Sequence, residues 1–336
     1  MTANHPNDLP ADEQPLPAPP LLPGYTLRPP EFDDLERIAE MIVACDISDA
    51  GAADFDAGIL HQAWSRERFD LSRDAWLVVA PETDQPVAYA EAWEREPHRY
   101  TGYGIVAGAH RGRGLGTLLL ANAEQRAAQG ADVDGNAWTD SFAPHDLADA
   151  TDLLTSCGYR AVRQYWEMEI SLPGPRQQSG TPDDVSIRSF RPGQDERTVY
   201  EVWRDSFADH WGSVEHAYED WAAGSFELPH FDPSLWFLAE ASGRVVGITL
   251  GEPFGADGHI STVGVLSPWR RRGIGAAMLE RAFAAFRERG IERVTLGVDS
   301  ENATGAASVY ERVGMRVFRT YALFRKEFVV HVNPAG

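Results

Sequence analysis

Cysteine is nearly missing from this chain: 336 residues hold two, Cys45 and Cys157. They lie far apart and show no metal-ligand spacing, which excludes a disulfide framework or a cysteine-based zinc site; both read as free buried thiols. Lysine is scarcer still. Lys326 stands alone beside 29 arginines, a bias expected of GC-rich codons. No apolar run approaches the roughly 18 residues of a membrane helix. The N-terminus has no apolar stretch of the kind a secretory signal needs, so a cytoplasmic location is the expectation. Positive charge is also short: 30 basic residues face 51 acidic ones, a net charge of −21. That excess argues against nucleic acid or an anionic membrane as the principal partner. It suits a cationic substrate such as an amine, and equally a merely soluble surface. The deficit is uneven. Residues 1–180 carry 13 basic and 29 acidic residues, net −16, and 181–336 carry 17 and 22, net −5.

The remaining composition is that of a globular protein, 43% hydrophobic and 24% charged, with length enough for two domains. Residues 1–23 contain seven prolines and few large apolar side chains, reading as a disordered or polyproline-like tail. The stretch 172–184, LPGPRQQSGTPDD, reads as a linker. It separates two regions, 24–171 and 185–330, that repeat one another. Arg28 and Arg188, and Trp76 and Trp236, stand 160 apart. Val106 and Val265, Arg111 and Arg270, Gly114 and Gly273, and Gly116 and Gly275 stand 159 apart; Gly158 and Gly314 stand 156 apart. A near-constant offset implies a duplicated domain of about 150 residues.

Each copy reads as a mixed α/β (α+β) unit, a mostly antiparallel twisted sheet with flanking helices. In the second copy the patterns predict strands at 185–190, 236–241, 245–250, 260–265 and 293–298, and final strands over 317–328. They predict helices at 194–209, 274–289 and 304–313, the second with Gly290 at its C-cap. Ser242-Gly243 predicts a tight hairpin turn.

The sharpest local feature is a strand ending at Val265, then Arg270-Arg271-Arg272-Gly273-Ile274-Gly275, then a helix. A helix N-terminus presents unpaired N–H groups and a partial positive charge, and glycines let an anion approach the backbone, so the loop can cradle a pyrophosphate. The arginines would add charge. A tight turn carrying solvated arginines is the alternative. The loop lacks the Gly-Lys-Ser/Thr of a P-loop and the spacing of a dinucleotide fingerprint. Further on, Asn302 precedes a helix it can cap, with Tyr310 about two turns along.

On these two motifs, in this order, the chain resembles the GCN5-related N-acetyltransferase (GNAT) family over both copies, as a tandem of two GNAT domains. The resemblance implies acetyl-CoA as acyl donor, no metal, and a small-molecule amine acceptor attacked directly. It implies a splayed pair of central strands, with Val263 and Val265 on the strand that meets the donor's pantetheine arm. Arg270, Arg271, Arg272, Gly273, Ile274, Gly275 and Asn302 fall among the expected cofactor-binding residues. Tyr310 maps onto the family's tyrosine, which donates a proton to the departing thiolate. The first copy keeps Arg111, Gly114 and Gly116, but its tyrosine position holds Leu154 and its asparagine position Asp146. Leucine cannot donate a proton, so the second copy is the expected catalytic one and the first is expected to be degenerate. Glu252, at a strand end with Glu240 and His259 nearby in sequence, is a candidate base; Asp299 and Glu301 could touch substrate. The aromatics Trp211, Tyr218, Trp221, Phe226, Phe231 and Trp236 could line an amine site or pack a core. The tandem layout also resembles mycothiol synthases, which acetylate the cysteinyl amine of a thiol precursor. A reading of another class is a non-catalytic CoA-binding sensor or scaffold. A monomer or homodimer is expected.

Overall fold

Strong β formers separated by turn residues set up the first repeat of the computed structural model, which describes residues 14–51, 55–66, 68–81, 83–172, 174, 180–213, 216–226, 231–302 and 304–330. In chain order it holds β1 (Thr26–Arg28), α1 (Leu35–Ala50), α2 (Ala57–Trp64), the single turn α3 (Leu71–Asp74), β2 (Ala75–Val79), β3 (Pro86–Glu96) and β4 (Arg99–Val106). Then come α4 (Leu115–Gln129), β5 (Asn136–Pro144), α5 (Ala148–Ser156) and β6 (Arg160–Ser171). The second repeat holds β7 (Ser186–Ser189), α6 (Glu196–Phe207), α7 (Tyr218–Phe226), β8 (Trp236–Ala241), β9 (Arg244–Phe254), β10 (Asp257–Val265), α8 (Ile274–Glu288), β11 (Arg293–Asp299), α9 (Ala306–Arg312) and β12 (Arg316–Val329).

The chain forms two compact units, one of 1–163 with 321–336 and one of 164–320. They are not the two repeats laid end to end. In the first unit the strand order is β1-β2-β3-β4-β5-β12, with the last place taken by the end of the chain: Tyr321–Val329 of β12 pair antiparallel with Asn136–Pro144. In the second it is β7-β8-β9-β10-β11-β6, with the last place taken by the end of the first repeat: Tyr165–Ser171 of β6 pair antiparallel with Arg293–Asp299. Each repeat therefore gives its final strand to the other repeat's sheet. The division at 172–184 follows the sequence offset, whereas the compact units follow the pairing.

Every neighbouring pair within each unit's sheet is antiparallel except β4–β5 and β10–β11, which are parallel. In the second unit α8 buries Met278, Leu279, Ala282, Phe283 and Phe286, residues at helical spacing. The aromatics Phe190, Tyr200, Trp221 and Trp236 pack with Leu238, Ile248 and Leu250 on the opposite side of the sheet, under α6 and α7. The β8–β9 hairpin turns on Ser242 and Gly243, both with positive φ (52° and 74°), as a two-residue turn requires.

Three local expectations change. The final strands over 317–328 are one continuous strand, β12. α7 was not evident from pattern, because its single buried aromatic, Trp221, leaves no stripe of helical spacing. Of the proline-rich segment, 1–13 lie outside the described residues; 14–23 form no helix or strand but dock on the first unit. There the Leu16 N–H donates to Glu124 (2.7 Å), Gln14 to the Val329 carbonyl (2.7 Å), and Leu16 and Leu21 pack on apolar clusters.

Candidate acetyl-transfer site

The two parallel strands of the second unit part almost at once. β10 pairs with β11 only through Gly258–Val294 and His259–Thr295. Against β9, its register slips by one between Ile260 and Thr262, leaving Ser261 as a bulge. Beyond that point β10 runs on to Val265 with its β11-facing edge free of strand pairing; the Val265 carbonyl is taken by the Arg270 side chain, and the other main-chain groups of that edge can meet a ligand. Val263 and Val265 lie along this edge, half-buried. They approach the start of α8: a Cβ on Gly275 would lie 3.8–4.0 Å from Val309, Val265 and Val263, an ordinary contact distance.

At the far end of β10 the loop turns into α8. The first helical bond is from the Ala277 N–H to the Gly273 carbonyl (3.1 Å), so the amides of the preceding turn point out of the helix end. Gly273 has φ +84° and nothing within 4 Å of where a Cβ would stand. Arg271 has φ +61°, a conformation that costs a non-glycine residue about 1 kcal/mol; its first-repeat counterpart is Gly112, φ +69°. The structure thus brings Val263, Val265, Gly273, Ile274 and Gly275 together around one open cradle, which fits a linear anionic ligand.

The arginines divide. Arg270 donates from Nε to the Val265 carbonyl (3.0 Å) and from Nη2 to the Ser206 carbonyl (2.9 Å), fastening the end of β10 to α6. Arg272 pairs with Asp184 (2.6 Å) and lies over Trp269 (4.6 Å). Arg271 is exposed and, among the described residues, makes no ion pair. Asn302 does not cap α9. Its Oδ1 accepts from the Thr304 N–H (2.8 Å) in a local turn, while Gly305, φ +75°, stands at the N-cap. The short Asn side chain bonds two residues on more readily than it reaches the later helix start.

Tyr310 lies on α9, buried against the second unit's main core. Burial pushes its pKa up to about 12, and among the described residues its hydroxyl has no hydrogen-bond partner. It is protonated at neutral pH, so it can give a proton and cannot take one. Glu252, on β9, stands opposite His259 of β10 in register. Glu240 is not part of this group; it accepts from Arg188 Nε (2.7 Å) near the sheet edge. Asp299 and Glu301 flank the open end of β11. Pattern reading placed His259 only as a neighbour of Glu252; its position beside the diverging strands depends on register, which no local motif encodes.

The first unit repeats the frame with a shorter opening, because β4 and β5 part only after Gly102 and Ser141. Arg111 donates from Nε to the Val106 carbonyl (3.0 Å) and pairs with Asp49, and Gly114 has φ +78°. Yet β4 and β5 stay paired over four positions, Arg99–Gly102 with Trp138–Ser141. The β3–β4 register is continuous from Glu94–Tyr100 to Ala88–Val106, with no bulge. At Gly116 a Cβ would meet Leu153 at 2.6 Å, so Leu153 fills the space left open beside Gly275. Leu154 is buried in an apolar cluster.

A sequence profile of the Acetyltransferase (GNAT) family matches residues 36–158 and 197–315. The chain belongs to this family. It is an acetyl-CoA-dependent acyltransferase that acts on an amine, which sets aside the scaffold reading. A GCN5-related N-acetyltransferase from Sphaerobacter thermophilus has the same architecture, with TM-score 0.81 and 34% identity over 93% of this chain and 98% of that one. Among curated proteins, the mycothiol acetyltransferase of Thermobispora bispora is 33% identical over 229 residues, 66% of this chain and 74% of the relative. That of Thermobifida fusca is 29% identical over 333 residues, 90% of this chain and 97% of the relative. As in the GNAT reading, acetyl-CoA is a substrate; among the described residues no cluster could hold a metal ion, and no helix is long and apolar enough to cross a membrane.

Proposed function

We propose that this GNAT protein is a mycothiol-synthase-like enzyme that acetylates the cysteinyl amine of a small thiol precursor in its second repeat. The observation that carries the reading is the likeness to a mycothiol acetyltransferase running through both repeats, over 90% of this chain. The asymmetry of the units agrees with it: one sheet opens early beside a tyrosine, and the other opens later, with Leu153 crowding Gly116 and a leucine at the tyrosine position.

In this reading the amides of Gly273, Ile274 and Gly275 hold the donor's pyrophosphate at the start of α8, with Arg271 adding charge. Arg270 and Arg272 shape the loop. The open edge of β10, with the main chain of Val263 and the Val265 N–H, bonds the pantetheine arm, while Arg270 holds the Val265 carbonyl. A main-chain N–H beside the Ser261 bulge faces the thioester oxygen, where negative charge grows during attack. The amine nitrogen bonds to the acetyl carbon as the carbon–sulfur bond breaks. Tyr310 gives its hydroxyl proton to the leaving sulfur and recovers one shed by the nitrogen as the amide forms.

The test is turnover of acetyl-CoA by the purified chain with the cysteinyl glycoside precursor, beside a panel of other primary amines. Preference for the cysteinyl amine by at least tenfold in kcat/KM is expected. Preference for another amine of the panel would leave a small-amine acetyltransferase of different specificity.

A further inference from the structure

A row of polar side chains crosses three strands at the point where the second unit's sheet opens. Glu252 of β9 is in register with His259 of β10, and His259 is in register with Thr295 of β11. His259 Nδ1 lies 3.0 Å from Thr295 Oγ1. Glu252 and His259 share a face with Leu250 and Ile248, since alternate strand residues point the same way, and those two pack beneath α6 and α7. This is the face opposite α8. His259 is the last residue of β10 that pairs with β11, so its ring stands at the vertex of the opening.

We propose that His259 is the group that takes the proton from the acceptor's ammonium, with Nδ1 held by Thr295 and Nε2 free to accept. On the same face, Asp257 of β10 and Glu169 of β6, the latter in register with Thr295, both pair with Arg293 of β11 (3.4 Å each), so these three charges lie in one ion-paired group. Glu252, one strand away, favours the protonated ring; Thr295 is neutral, and the Phe254 ring lies 5.9 Å off. Burial, the larger influence, holds the imidazole below the ordinary histidine value, so it is neutral and competent at pH 7. An α-amine, ordinarily about 7.7–8.0, is mostly protonated there and needs such an acceptor. The proton passes from nitrogen to Nε2 before the N–C bond forms, and leaves to water between turnovers. Glu252 does not take it; its charge stabilises the imidazolium across the strand.

The inference rests on acetyl transfer in the second unit, and the test separates the two. The wild-type chain is first assayed with the cysteinyl amine. If another amine of the panel is turned over instead, the acceptor assignment fails and the same pH test runs on that amine. His259→Asn, whose amide can keep the contact to Thr295, should lower kcat/KM at pH 7 by about 10²–10⁴-fold. It should lose the acid limb of the profile, keep acetyl-CoA affinity within a few fold, and recover activity as pH rises past the acceptor's own pKa. Glu252→Gln should move the acid limb to lower pH, because removing the neighbouring charge disfavours the imidazolium. An unchanged acid limb in His259→Asn overturns the proposal, as does loss of the limb in Glu252→Gln, which would make Glu252 the base. Should His259→Asn show no cooperative melt, the limb of Glu252→Gln decides alone: a downward shift supports the proposal, and an unshifted or absent limb overturns it.

Discussion

Tyr310 and Leu154 occupy matching positions in the two repeats and are both buried, so packing alone does not distinguish them; the hydroxyl does. At Tyr310 the proton stays on, with a pKa pushed up to about 12, and among the described residues no group hydrogen-bonds to its hydroxyl. A coenzyme thiolate has a conjugate pKa of about 8–9, a fair leaving group, so a donor helps without being indispensable. Tyr310→Phe should keep the ring's packing, the melting temperature and acetyl-CoA affinity within a few fold, and lower kcat by roughly ten- to a thousandfold. Unchanged kcat, with product release shown not to limit the rate, would remove Tyr310 from the mechanism. A second residue-scale outcome concerns stability. Arg28 forms a two-pronged pair with Asp34 (2.6 and 2.7 Å), as Arg188 does with Asp195 in the second repeat. The Arg28 hydrogen bonds outweigh burial and hold Asp34 below the usual carboxylate range. A depressed folded pKa gives stability above the unfolded value, lost as pH falls through the folded one. Asp34→Asn should therefore lower the melting temperature at pH 7, and the gap to wild type should narrow as pH drops below about 4. Tyr310 was legible because the resemblance to the GNAT motif marks it, and Arg28 and Arg188 because the repeat offset does; their aspartate partners were not read from the sequence. The role division among Arg270, Arg271 and Arg272 was not, because it depends on carbonyls of α6 and on Asp184, distant in sequence.

The strand–loop–helix unit is where the repeats part ways. Both carry a glycine in the left-handed region at the helix start, and motif spacing predicted both. What spacing could not show is the space around them: a bulge at Ser261 and early divergence in one unit, four parallel pairs and an intruding Leu153 in the other. A bulge adds one residue to one strand and leaves no local signature here. The expected stoichiometry is one acetyl-CoA per chain. Gly273→Val places a β-branched residue at φ +84°, where it is strained and where its side chain enters the cradle. Calorimetry should show acetyl-CoA affinity weakened at least tenfold. The matching Gly114→Val should leave both affinity and the single site unchanged. Two sites in the wild type, or equal losses in both variants, would count against a first unit blocked by Leu153.

At the scale of the whole molecule, the duplication seen in the sequence and the units seen in the fold differ by one strand each way. The offset predicted two similar sheets correctly, since it follows each repeat's own strands. It could not foresee the exchange, because β6 and β12 have the same character whichever sheet they join. The consequence is physical. Met168 and Ile170 of β6 are buried in the core beneath α8, beside Val294, Leu296 and Tyr310. Phe324 and Phe328 of β12 are buried in the first unit, and Lys326 is buried there against Glu124 (3.0 Å). A fragment of 185–336 would lack the strand that covers β11 and leave that edge and its apolar neighbours exposed. A fragment of 1–175 would lose the partner of β5, leave Glu124 without its lysine, and have only Leu154 at the tyrosine position. Each half made alone should show no cooperative melting and no acetyl transfer. The two halves produced together should recover both, because no covalent continuity through 176–184 is needed for either strand to pair. Robust transfer by 1–175 alone would overturn the choice of the second unit as the active one. Transfer by 185–336 alone, at a rate near the whole chain's, would show that the catalytic unit does not need the strand it receives.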